Sequence, residues 1–324
     1  MTSIEGITHN TKKHRGYQQR LLDSFLILFM VAMSVYFTFA SKYFLSIKNF
    51  MNIFSSVSIV GIIAAGMTLI IITRGIDLSV GAIIAVAGCV CALLIEKSHM
   101  PWWFSMMAAM TAGMFIGMFN GLLITKFRVL PFIATLGAMN MVRGLAFIST
   151  NGQAIYTSSS QVSFLGAGKI FGLIPVPGVI MLLCFVGIWV VSKYTVFGRY
   201  VFTIGGNPVA SRLAGINVKR ITLILYTLTG TLAALSGLVM TGLASTAMPS
   251  VGESYALDTI TAVYLGGNSS EGGEGSVWRT LLGVMIIGIL NNGMALISVQ
   301  SYWQTFIKGT LLIAAVTIDV LRKK

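Results

Sequence analysis

Long apolar runs alternating with short polar breaks set the pattern of this chain from residue 21 onwards. About 20 consecutive apolar residues cross a bilayer as a helix. Polar punctuation divides the chain into ten such segments: Leu21–Ala40, Met51–Thr73, Leu78–Ile95, Phe104–Thr125, Leu130–Thr150, Val176–Ser192, Ile221–Ser245, Leu257–Gly267, Val277–Ile297 and Trp303–Leu321. The third and eighth are short and broken by glycine. The pattern predicts an all-α, polytopic membrane helix bundle of about ten transmembrane helices. Residues 1–20 form a polar basic tail, 21–321 the transmembrane domain and 322–324 a second short tail. Residues 193–220 are the longest loop on the side of the termini.

Composition agrees. Of 324 residues, 56% are hydrophobic and 10% charged, against about 25% charged in a soluble domain. Mean hydropathy is +0.86. A cytosolic enzyme would need more charge to cover its surface, and a disordered chain would be poor in apolar residues. The net charge of +13 is spread through the breaks between apolar runs, whereas a nucleic-acid surface gathers its Lys and Arg on one face. No nucleic-acid partner is expected. The basic residues report topology instead. Sixteen fall on the side of the N-terminus, and four, Lys42, Lys48, Lys97 and Lys169, on the other. Both termini are therefore expected inside, as an even number of crossings requires. No A-x-A-like site follows the first apolar run, so a cleaved signal peptide is not expected. Cys89, Cys91 and Cys184 sit within apolar runs, a poor setting for a disulfide or a zinc site.

The halves of the chain resemble each other weakly. Asp77 opens the third segment and Asp258 stands at the eighth. Gly113-x3-Gly117-x2-Asn120-Gly121 in the fourth is matched by Gly283-x4-Gly288-x3-Asn292-Gly293 in the ninth. Both matches imply an offset of five segments. An odd offset reverses direction, which is the signature of an inverted repeat of the kind transporters use.

Within 193–220, Asn207 is a good N-cap, Pro208 suits a first helical turn, and Gly215 is placed for a C-terminal stop. A two-turn helix over Pro208–Ala214 follows, with Val209 and Leu213 on one face and Arg212 beside them. So short a helix is unstable alone in water and must pack on something, either a partner protein or its own bundle. Polar groups within a membrane are functional candidates. Asp77 is a gate candidate or a cap for the third segment with Arg74 as counter-ion, and Asp258 reads the same way. Arg143 and Lys308 are expected to snorkel to an interface. Asn120, Asn291 and Asn292 offer neutral amides, expected near the outer ends of a helix pair, and would suit a path for an uncharged, hydroxyl-rich solute. Hydrogen bonding between helices is their alternative role. The outer segment Asn151–Ile174 is long enough to cover a pore mouth.

TRGIDLSVGAI at Thr73–Ile83, GRYVFTIGGNPVASRLAGINV at Gly198–Val218, LDTITAVYLGG at Leu257–Gly267 and GSVWRTLLGVMIIGILNNG at Gly275–Gly293 resemble the permease subunits of bacterial monosaccharide ABC importers. The resemblance runs from about Leu21 to Asp319. It implies a multi-pass protein of the bacterial inner membrane that passes ribose or a similar pentose or hexose. Asn207, Pro208, Val209, Arg212, Leu213 and Gly215 would form the helix that couples to a separate ABC-type ATPase, which binds Mg-ATP. A periplasmic sugar-binding protein, a second permease copy or paralogue, and membrane lipid are the other implied partners. The chain departs from the family at Asn268, where Thr is common, at Glu274, where a basic residue is usual, and at Arg279, where Gly is. An ion pair between Glu274 and Arg279 would restore the local charge balance.

The stretch nearest to a phosphate-binding loop, SFLGAGKI at Ser163–Ile170, has Ser for the first Gly and Ile for the hydroxyl. No ATPase activity and no cofactor are expected in this chain. The alternatives are a secondary sugar transporter driven by an ion gradient, which would need an intramembrane carboxylate such as Asp77, and a membrane enzyme. His9, His14 and His99 lie in the tail or a loop and offer the latter no catalytic cluster.

Overall fold

The computed structural model describes residues 24–321. The tails and their basic residues, with His9 and His14, lie outside the described residues. Each of the ten apolar segments falls on a helix: α1 (Ser24–Ala40), α2 (Ile47–Ile72), α3 (Val80–Glu96), α4 (Trp102–Thr125), α5 (Pro131–Thr150), α7 (Val176–Tyr194), α10 (Val218–Ala244), α11 (Tyr255–Leu265), α12 (Val277–Leu296) and α13 (Ser301–Leu321). Among the described residues, seven are long and apolar enough to cross a membrane, whereas α3, α11 and the described part of α1 are shorter. The 11 residues of α11 rise only about 16 Å, half a bilayer core. Three further helices were not expected as such or were expected only in part: α6 (Ser160–Ala167), α8 (Val196–Gly206) and α9 (Pro208–Leu213). Two small antiparallel pairings join Ile155–Tyr156 to Thr246–Ala247 and Lys169–Ile170 to Ile174–Pro175.

The core is built around α2. Every residue from Val57 to Ile72 is buried, as expected of a helix apolar on all sides. α7, α10, α11 and α12 pack around it, α3 and α4 pack on α10, α5 lies outside α3, and α13 rests on α11. Small residues bring the backbones close where α4 meets α10. A Cβ on Gly117 would stand 2.2 Å from the Tyr226 carbonyl oxygen, and one on Gly230 2.4 Å from that of Gly113. In lipid, where hydrophobic burial drives little helix association, such approach supplies the packing energy. The Ser236 hydroxyl adds a 2.7 Å bond to the Ile59 carbonyl, tying α10 to α2.

The segment over Asn151–Ile174 is more than a covering loop. Its helix α6 docks on the end of α10, where a Cβ on Gly166 would stand 2.0 Å from the Leu243 nitrogen. The bundle thus has two recognisable ends, one carrying α6 and the other α9.

Candidate functional site

At the α9 end, Thr195 caps α8 and Asn207 closes it while opening α9. The Asn207 side-chain oxygen accepts from the Val209 and Ala210 N–H groups, 3.0 Å each, which satisfies donors that a helix start leaves open. Pro208 takes the first helical position, and Gly215 leaves at φ +84°. The helix is one residue shorter than the expected Pro208–Ala214, with Ala214 as its cap. Ser211 faces inward, its hydroxyl 2.8 Å from the Asn207 carbonyl. Val209 and Leu213 face outward, 61% and 86% exposed. The helix therefore buries Ser211 and leaves its apolar face open.

Asp77 lies between α2 and α3 and is fully buried. One oxygen accepts from the Ser79 N–H at 2.9 Å and from its hydroxyl at 2.6 Å. The Ser79 hydroxyl accepts in turn from Asn120 Nδ2 at 2.8 Å. Ser79, not Asp77, is the cap residue of α3. Arg74 is not its counter-ion: Arg74 turns away, its Nε and Nη2 donating to the carbonyls of Gly205 and Gly206 at 2.8 and 2.9 Å. Arg74 adopts φ +64°, and its partners are the carbonyls at the end of α8 instead of the carboxylate three residues on.

Asn120 and Asn292 were expected together at one end of the bundle and are instead held by different helices. Asn120 meets Ser79, the cap residue of α3. Asn292 exchanges two 2.9 Å amide bonds with Asn49, in the first turn of α2. Asn291, next to Asn292, lines a cavity of about 130 Å³ between α2, α11 and α12, with Ser56, Val60, Tyr255 and Gly288. Its side-chain oxygen accepts no hydrogen bond among the described residues.

Deeper in, Gly81 at the start of α3 and Gly252, just before α11, touch through their backbones. A Cβ on either would stand 2.2 Å from the other's carbonyl oxygen, and Gly252 has φ +90°. Arg143 does not snorkel. Its Nη1 donates to the Pro249 carbonyl at 2.7 Å and to that of Val251, holding the segment that leads into α11. Lys308 does not snorkel either, and Asp258 is no boundary cap. Asp258 is in the first turn of α11 after the cap residue Ser254, and Lys308 Nζ lies 3.0 Å from both its oxygens. In a medium without water, each charged group takes the partner that packing offers.

The loop between α11 and α12 is organised by Asn268, which is buried. Its Nδ2 donates to the Val263 carbonyl at 2.6 Å and to the Thr280 hydroxyl at 2.8 Å, and its oxygen accepts from the Ser276 N–H at 2.8 Å. Thr280 meets Thr68 of α2 at 2.8 Å. An amide can make these three bonds where threonine could not, which explains the departure at this position. Asn49, Ser79 and Asn268 were missed as organising residues; an amide inside an apolar run was the signal available for Asn49.

A nearly all-helical bundle with seven helices long and apolar enough to cross a membrane, a capped, outward-facing helix at one end and a small, mostly apolar cavity between helices has the architecture of a multi-pass membrane protein. The chain belongs to the family described as branched-chain amino acid transport system / permease component, which matches residues 49–316. It is 42% identical to the ribose import permease protein RbsC of Bacillus subtilis (strain 168), over 98% of this chain and 97% of that one. It is 40% identical to RbsC of Escherichia coli (strain K12), over 91% and 92%. It is 33% identical to the D-allose transport system permease protein AlsC of Escherichia coli (strain K12), over 93% and 92%. No solved structure matches the chain.

Proposed function

We propose that this chain is the transmembrane subunit of an ATP-binding-cassette importer for a monosaccharide, ribose or a similar pentose or hexose. A separate ATPase subunit binds Mg-ATP and docks on α9, at the cytoplasmic end of the bundle. A sugar-binding protein delivers at the α6 end, and a second permease copy or paralogue completes the complex. The carrying observation is the open apolar face of α9: Asn207 caps the helix and Ser211 is buried, while Leu213 is 86% exposed. A six-residue helix gains little stability of its own, so an exposed leucine there supports a docking role.

The path for the sugar follows the cavity between α2, α11 and α12. Asn291, Ser56 and Tyr255 offer neutral donors and acceptors amid apolar walls, which suits a solute with many hydroxyls and no charge. Asp77 and Asn120, linked through Ser79, act as a buried positioning pair at the start of α3. Asp258 joins α11 to α13 through Lys308.

Uptake of radiolabelled ribose, allose and fructose into proteoliposomes containing this chain, the ATPase and the binding protein tests the reading. Transport that needs ATP and both proteins is the expected result. Transport without them that collapses with an uncoupler would establish an ion-driven carrier instead.

A further inference from the structure

The α9 helix is joined to the membrane core through a polar joint that the docking role leaves unexplained. α8 ends at Gly205–Gly206, immediately before the Asn207 cap. The last carbonyls of a helix lack partners within it and carry its negative dipole end. Those of Gly205 and Gly206 accept from Arg74 Nε and Nη2. Arg74 stands two residues past the end of α2, in the left-handed region at φ +64°. Such a conformation in a residue other than Gly persists where the surroundings over-determine it, and it clusters at working parts of proteins.

A third backbone segment closes the joint. The Gly273 N–H donates to the Ile72 carbonyl at 2.9 Å. A Cβ on Gly205 would stand 1.9 Å from the Ile72 oxygen and 2.4 Å from the Gly273 nitrogen. The ends of α2 and α8 and the loop between α11 and α12 therefore meet with no room for a side chain. Asn268 and the Thr280–Thr68 contact tie that loop to α11, α12 and α2. These are the helices around the cavity.

We propose that Arg74 is a positioning residue for transport: it clasps the end of α8 to α2, so that movement of α9 reaches the helices around the cavity. The proposal rests on α9 being the ATPase-docking helix. Arginine suits the task because its fork spans two carbonyls at once, whereas a lysine ammonium is a point donor.

The test uses the full complex of permease, ATPase and binding protein in proteoliposomes, with Arg74→Gln, Arg74→Lys and, separately, Leu213→Asp. Arg74→Gln is expected to keep the ATPase bound and to keep basal ATP hydrolysis. Sugar moved per ATP should fall about tenfold or more, the size of a typical coupling between sites, and loaded binding protein should no longer stimulate hydrolysis. Arg74→Lys should fall between Arg74→Gln and the parent. Wild-type coupling in both Arg74 variants overturns the proposal. So does loss of bound ATPase in Arg74→Gln, which would make Arg74 part of the docking surface, or failure of both variants to accumulate as folded permease. Should Arg74→Gln alone fail to accumulate, Arg74→Lys decides: reduced sugar per ATP supports the clasp and wild-type coupling overturns it. Leu213→Asp separates the two readings. If it retains the ATPase, the docking role of α9 has failed; if it loses the ATPase while both Arg74 variants couple normally, the clasp alone has failed.

Discussion

Asn49 and Asn292, 243 residues apart in sequence, hold each other by two reciprocal amide hydrogen bonds of 2.9 Å. They fasten the first turn of α2 to the last turns of α12. Asn292 is thereby satisfied by a neighbouring helix, whereas Asn291 beside it lines the cavity.

From this pair follows a stability effect. Asn292→Leu leaves Asn49 short of a partner and should cost about 2 kcal/mol. Asn49→Leu should behave alike, and the double variant should lose less than the sum. Thermal unfolding of the four proteins in detergent gives the coupling, expected near 1 kcal/mol. Strict additivity would show that the pair contributes nothing.

Asn291→Leu should do the opposite. Its amide lines the cavity, so the melting temperature should hardly move while sugar uptake falls several-fold. Parallel uptake and melting measurements check this, and unchanged uptake would remove the residue from the path.

The ion pair of Asp258 and Lys308 should show the asymmetry of buried charges. Lys308→Met leaves a buried carboxylate and should cost about 3 kcal/mol, whereas Asp258→Leu with Lys308→Met should recover most of it. Yield and thermal stability of the two variants in detergent discriminate. If the double variant is no better than the single, the pair is not what matters at this site.

Leu213→Asp places a carboxylate in the expected apolar cleft of the ATPase, at a cost of several kcal/mol, and should abolish co-purification while the permease still inserts. Asn207→Ala removes a cap worth about 1 kcal/mol and should weaken ATPase binding only about five- to tenfold. Pull-down of the ATPase with each variant measures both.

Orientation is testable by reporter fusions. Those after Asn10, within 193–220 and at Lys324 should report cytoplasm, and one after Gln161 the outside, as the distribution of basic residues requires. An outside result within 193–220 would separate α9 from any cytoplasmic ATPase.

The amino-acid sequence alone determined the features whose causes are local. Ten apolar runs became ten helices, and Asn207, Pro208 and Gly215 placed α9 to within a residue, because hydrophobic length and cap chemistry act over a few neighbouring residues. Tertiary structure decided which polar group meets which. Arg74 passed over Asp77 for carbonyls 131 and 132 residues away, and Arg143 and Lys308 found partners 106 to 108 and 50 residues away instead of an interface. Asn120 and Asn292, alike in their glycine-rich surroundings, found different partners, Ser79 before α3 and Asn49 in the first turn of α2. Inside an apolar bundle no water competes for these groups, so their partners are chosen by how the helices pack, and no local pattern encodes a separation of that length.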